Sequence, residues 1–120
     1  MVMHEEQPQW TGHDLYDVHG DKIGTVADVR YGDMTVGPRW LLVRTGLLGT
    51  KKVFVPAGDA RHHGDRVVVP FVKDRVKSAP LVADVEVLDD DDEEKLCAYY
   101  GLEYQSPAAR LSEHVDTHLH

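Results

Sequence analysis

The chain has 120 residues, 42% of them hydrophobic, and a formal net charge of −8 at pH 7. That length is enough for one domain with a modest core, and the acidic balance argues against wholesale electrostatic binding of nucleic acid. No run approaches the roughly 20 apolar residues of a membrane span, and a single cysteine excludes an internal disulfide.

Residues 1–9 are polar, lack the pattern of a signal peptide and read as a flexible N-terminus. Leu15–Val18 and Ile23–Val26, joined by the turn His19-Gly20-Asp21-Lys22, read as a first hairpin. The apolar phase then slips, because Val29 follows Val26 by three residues instead of two. A β-bulge near Ala27-Asp28 accounts for it. Residues 33–37 form the next loop.

Pro38–Gly46 holds four large apolar residues in succession, Trp40-Leu41-Leu42-Val43, between strong turn signals. Side chains alternate along a strand, so Trp40 and Leu42 face one way, Leu41 and Val43 the other. A sheet wet on one face would alternate apolar with polar residues, and this one does not, so both faces must be covered. Val53–Val55 and Val67–Val69 repeat the trait, and each run stops at a proline, Pro56 or Pro70, which cannot donate a ladder hydrogen bond. Short, closely spaced strands with tight turns predict a small antiparallel barrel or meander. His62-His63 reads as part of a turn. Phe71–Lys77 reads as a strand end and one helical turn before Pro80.

Two helices are expected beyond it. Asp89–Tyr100 opens on the acidic run Asp89-Asp90-Asp91-Asp92-Glu93-Glu94, favourable at a helix N-terminus, and stops at Gly101. Its Leu96, Tyr99 and Tyr100, with Leu102 beyond, are expected against the barrel. Cys97 reads as a small buried hydrophobe, consistent with a reducing cytoplasm. Pro107–Leu119 follows Ser106 as N-cap, and Leu111, Val115 and Leu119 form a stripe too thin for a helix that stands alone.

Several chemical motifs fail on spacing. Gly46-Leu47-Leu48-Gly49-Thr50-Lys51-Lys52 has two residues between its glycines where a phosphate loop needs four, and it leads into a strand, not a helix. Asp17, His19, Asp21 and Asp28 lack the glycine and the flanking helices of a calcium loop. Among eight histidines, His114 and His118 share a helical face, but at a terminus with no supporting shell, so no metal site is expected. No nucleophile elbow or carboxylate pair occurs, which predicts a non-enzyme with no catalytic residues and no cofactor.

Charge is unevenly spread. Arg39 to Lys77 holds nine basic and three acidic residues, +6, whereas residues 1–38 carry −5 and residues 78–120 carry −9. Arg39, Arg44, Lys51, Lys52 and Arg61 are therefore candidate contacts to an anionic partner.

The order of these signals resembles the PRC-barrel family, which includes the cytoplasmic domain of the photosynthetic reaction-centre H subunit and the C-terminal domain of a bacterial ribosome-maturation factor. The segments that carry the resemblance are Asp17–Val26, Pro38–Val43, Val53–Pro56, Asp65–Pro70 and Val76–Pro80. It spans residues 12–80, and Glu94–Gly101 looks like the short helix of stand-alone bacterial members. The resemblance implies a mainly β fold, a small antiparallel PRC-type barrel with one or two short C-terminal helices. The expected units are a flexible N-terminus at 1–9, the barrel at 10–88, a helix at 89–102, and a tail at 103–120 with a short helix.

The function expected is that of a cytoplasmic, non-enzymatic interaction or assembly module with an unidentified protein partner. A homodimer is expected, since the strands are apolar on both faces, with Trp40, Leu42, Phe54, Leu111, Val115 and Leu119 as candidate interface. The alternative is an RNA- or ribosome-associated factor that uses the basic segment 39–77. No membrane partner is expected.

Overall fold

A computed structural model describes residues 10–32 and 37–104. The expected N-terminal segment 1–9, the Pro107–Leu119 helix and the His114/His118 pair lie outside the described residues. In chain order the elements are β1 (Asp14–Tyr16), β2 (Lys22–Tyr31), β3 (Pro38–Thr45), β4 (Lys51–Pro56), β5 (Arg61–His63), β6 (Arg66–Val68), α1 (Lys73–Lys77) and α2 (Asp90–Tyr100). The described residues are mainly β, with one six-stranded sheet and two short helices, neither long and apolar enough to cross a membrane.

The phase slip in β2 is a bulge. Val26 pairs with Val43 and Asp28 with Leu42, which leaves Ala27 as the extra residue. Val26 and Val29 thereby meet Val43 and Leu41 on one face of β3. Val55 and Val53 continue that face on β4, and Leu15 opposite Val67 on the other side. Leu15, Val26, Leu41, Val43, Val55 and Val67 are all fully buried. The second face carries Trp40, Leu42 and Phe54, also buried. Both faces of β3 are covered, as its composition requires.

The strand order is β4-β3-β2-β1-β6-β5, antiparallel except for β1 and β6, which run parallel. The parallel pair corrects the expectation of a wholly antiparallel sheet. No ladder joins β4 to β5 among the described residues, so the sheet is open. It is nevertheless rolled. Strands β4 and β5 are the two edges, yet only residues 57–60 connect them. A flat six-stranded sheet would hold its edges about 24 Å apart, from five spacings of about 4.8 Å. Four linking residues span at most about 18 Å. The sheet therefore bends around its Val/Leu interior, and β6 returns beside β1 and parallel to it.

Strand β5 corrects the reading of His62-His63 as a turn. Arg61, His62 and His63 pair with Val68, Val67 and Arg66, and the turn is Gly64-Asp65. All three are exposed polar residues on a sheet edge, so no apolar alternation marks them. The ring of His62 lies 5.1 Å from that of His13 and 6.0 Å from that of Trp10.

One buried acid sets the geometry of the β1–β2 turn. Asp17 is 3% exposed, and its carboxylate accepts from the backbone N–H of His19 (2.8 Å) and Asp21 (3.0 Å). Its second oxygen accepts from Lys73 N–H (2.9 Å) at the start of α1, so one side chain ties the hairpin to the helix. Burial by itself would raise this carboxyl, but the N–H donors of Asp21, Lys73 and His19 outweigh it and hold it below its ordinary value of 3.8. A depressed folded-state pKa stabilises the fold above the carboxylate range, and the gain is lost as pH falls through it. Asp17→Asn should therefore destabilise by about 2 kcal/mol at neutral pH. In chemical denaturation across a pH series, the gap to the wild type should close on acidification below the ordinary carboxylate pKa. A gap independent of pH would contradict this role.

Helix α2 begins where the acidic run predicts. The Asp89 side chain accepts from Asp92 N–H (2.8 Å), and Gly101 takes the left-handed backbone, φ 75°, that closes the helix. Leu96, Cys97 and Tyr100 are its buried residues, while Tyr99 is half-buried and Leu102 exposed.

Candidate binding groove

The face of β3 that bears Trp40 is built against α2 by one acid. Glu93 Oε2 accepts from Trp40 Nε1–H (2.8 Å) and is ion-paired with Arg39. Glu93, Cys97 and Tyr100 recur at helical spacing, so they share one side of α2. Tyr100 donates its hydroxyl to the Phe54 carbonyl (2.9 Å), and its ring stands 6.5 Å from Trp40 and 4.9 Å from Phe71. Burial pushes the Tyr100 hydroxyl above its ordinary pKa, so it remains a donor at neutral pH. Arg75 of α1 donates to Tyr99 O (3.0 Å), and the Tyr99 hydroxyl donates to Arg75 O (2.5 Å), which fixes the far end of α2.

Beside this seam an open groove of about 360 Å³ runs along the Pro38 end of the sheet. Pro38, Pro56, Phe71 and Leu102 line its sides, and the buried Trp40 and Cys97 form the floor. Arg39, Asp59 and Glu103 lie at its polar margin. The walls are apolar, and the Arg39 guanidinium nearby is already paired with Glu93. Burial raises the Cys97 thiol above its ordinary pKa, the direction that favours the inert protonated form. The chemistry on offer is apolar contact with a charged edge.

The PRC-barrel domain family model matches residues 5–76. The chain belongs to the PRC-barrel family. No curated protein matches it. The match takes in the whole sheet and most of α1, and it stops before α2. The groove of this PRC-barrel protein is therefore a composite, with Pro38, Trp40, Pro56 and Phe71 from the matched part and Cys97 and Leu102 from the helix beyond it.

The candidate residues from the sequence are placed unevenly. Trp40, Leu42 and Phe54 are buried, with Trp40 and Phe54 in direct contact with α2 of the same chain. Only the edge of Trp40 reaches a surface, as groove floor. Leu111, Val115 and Leu119 lie outside the described residues. The five cations do not form one face. Arg39 is taken by Glu93, and Lys51 Nζ donates to the Lys77 carbonyl (2.6 Å). Arg61 sits on β5, at the opposite edge of the sheet from β4. Arg44 and Lys52 alone are exposed and directly paired across β3 and β4. Among the described residues no group of three or more His, Cys, Asp or Glu gathers at metal-ligating range.

Sequence reading missed Glu93, Phe71 and Leu102 as parts of this site. For Glu93 a signal existed, since it stands four residues before Cys97 and seven before Tyr100, on their face of the helix. Leu102 is expected against the barrel with the rest of the helix, and Phe71 carries no signal, because it lies between elements and its exposure depends on packing.

Proposed function

We propose that this PRC-barrel protein acts by binding, as a homodimeric docking module that assembles with a protein partner and catalyses no reaction of its own. The groove at the Pro38 end carries this reading. It offers apolar walls, a floor formed by an anchored tryptophan, and a charged rim, which is the make-up of a protein-contact patch. Pairing of two copies across it buries Leu102, 42% exposed in one chain, together with Phe71 and the two prolines. Two-fold pairing is the commonest way to cover such a surface.

Light scattering on the full chain at micromolar concentration should give twice the monomer mass, and Leu102→Glu should return it to monomer. A full chain that stays monomeric would sink the homodimer. A dimer that survives Leu102→Glu would move the interface off the groove. A chain ending at Gln105 should remain dimeric, since every groove residue precedes that point.

A further inference from the structure

The opposite end of β3 presents a different surface. Between β3 and β4 the chain turns at Gly46-Leu47-Leu48-Gly49, closed by Gly49 N–H to Gly46 O (3.2 Å). The turn projects its two leucines into solvent: Leu47 is 99% exposed and Leu48 83%. Two adjacent aliphatic side chains this open, at a convex tip, bury nothing in the chain itself.

A shallow cleft of about 430 Å³ opens beside the tip. Gly46 and Gly49 form part of its rim, and its charged lining is Lys22, Arg44, Lys73 and Lys77, with no acidic residue among them. Lys52, directly across from Arg44, adds an exposed cation next to it. Two carboxylates are in reach: Asp14, 3.3 Å from Lys22 in a half-exposed pair, and the buried Asp17, whose oxygens are taken up by the N–H groups of His19, Asp21 and Lys73. Thr45 also lines the cleft, is 2% exposed, and its hydroxyl has no hydrogen-bond partner among the described residues.

The acidic run of α2 does not cancel this field. Glu93 is anchored to Arg39 and Trp40 at the start of β3, and the cleft lies at Thr45, roughly 20 Å further along an extended strand. That is about twice the screening length at physiological salt. The protein is acidic overall and basic at one tip.

We propose that this tip and cleft form a docking surface for an anionic lipid bilayer. Leu47 and Leu48 enter the headgroup boundary, and Lys22, Arg44, Lys52, Lys73 and Lys77 meet the negative surface, with room in the cleft for one headgroup phosphate. An anionic phosphate also brings an acceptor to the end of the sheet where Thr45 lacks one. A convex apolar knob ringed by cations fits a planar anionic interface, in which each exposed leucine and each nearby cation adds to partitioning. Among the described residues no helix is long and apolar enough to cross a membrane, and contact with the bilayer surface needs none. The proposal is independent of the groove and of dimerisation.

Co-sedimentation of the full chain with vesicles of phosphatidylcholine, with and without phosphatidylserine, tests it. Binding is expected to the mixed vesicles only and to fall with added salt. Leu47→Ser with Leu48→Ser should weaken it about tenfold, on the scale of one buried leucine. Lys73→Gln with Lys77→Gln should weaken it by about tenfold or more, from two cations removed near the surface. Arg61→Gln, at a residue that does not line the cleft, should leave it unchanged. Equal binding to neutral vesicles, no binding to anionic ones, or an unaltered leucine variant that is folded by circular dichroism would each overturn the proposal. Full competition by soluble glycerophosphoserine or inorganic phosphate would also overturn it, since it would assign the cleft to a free anion and leave the leucines without a part.

Discussion

Replacing Trp40 by alanine should lower the free energy of unfolding by about 3–5 kcal/mol, the usual cost of deleting a buried large aromatic. Trp40 is 2% exposed and joins three parts of the molecule. Its ring meets Phe54 edge-on at 6.5 Å, approaches Tyr100 of α2 at the same distance, and its indole N–H donates to Glu93. The alanine variant leaves a cavity between the sheet and α2 and takes one of two donors from a half-buried carboxylate. A domain of this size has roughly 5–15 kcal/mol of stability in total, so a third of it is at stake. Trp40→Phe should recover most of the packing and lose the hydrogen bond, for a deficit of about 1 kcal/mol. Chemical denaturation measures both. A loss under about 1 kcal/mol for the alanine variant would mean that α2 does not seal this face.

Gly24→Ala should cost about 3 kcal/mol, at the upper end of the range for overpacking. A Cβ built on Gly24 falls 2.1 Å from the Arg44 carbonyl oxygen and 3.0 Å from a Val43 methyl. The nearest obstacle is backbone, which cannot rotate away, so β2 and β3 must separate where Thr25 pairs with Arg44. Gly58 is the control. Its backbone has no left-handed φ and a Cβ there meets nothing within 4 Å. Gly58→Ala should be neutral, or stabilise by up to about 1 kcal/mol through the unfolded chain. Equal midpoints for the two variants in urea would remove the close approach at Gly24 as a requirement of the fold.

Local pattern accounts for much of the architecture. The run Trp40–Val43 demands cover on both sides whatever the topology, because alternate side chains of a strand point to opposite faces. The three-residue step from Val26 to Val29 can be reconciled with a continuous strand only by an extra residue, and Ala27 is that residue. Helix α2 is legible from its ends, since Asp89 caps it and Gly101 closes it through contacts within one helical turn. Each of these features is written in residues a few positions apart.

Features that depend on distant partners are not written this way. Arg61–His63 becomes a strand only because β6 offers it an edge, and its own residues carry no periodic signal. The parallel pairing of β6 with β1 joins residues about fifty positions apart, and a four-residue link brings one sheet edge round toward the other. Nothing within either strand encodes it. The same holds for the surfaces. Trp40, Leu42 and Phe54 suggest an interface until Glu93, Cys97 and Tyr100, far later in the chain, bring α2 into place on that face. The basic cleft gathers Lys22 from β2, Arg44 from β3, and Lys73 and Lys77 from α1, while Arg39 and Lys51 find partners within the chain.

Sequence by itself therefore determined the elements other than β5, the need to bury both faces of β3, and membership of the PRC-barrel family, all of which rest on short-range periodicity, turn chemistry and caps. Tertiary structure alone decided which apolar residues vanish beneath α2, which cations stand free beside Leu47 and Leu48, and that the sheet rolls without closing. The physical reason is that exposure and local field belong to the assembled surface, where each side chain's neighbours come from remote parts of the chain.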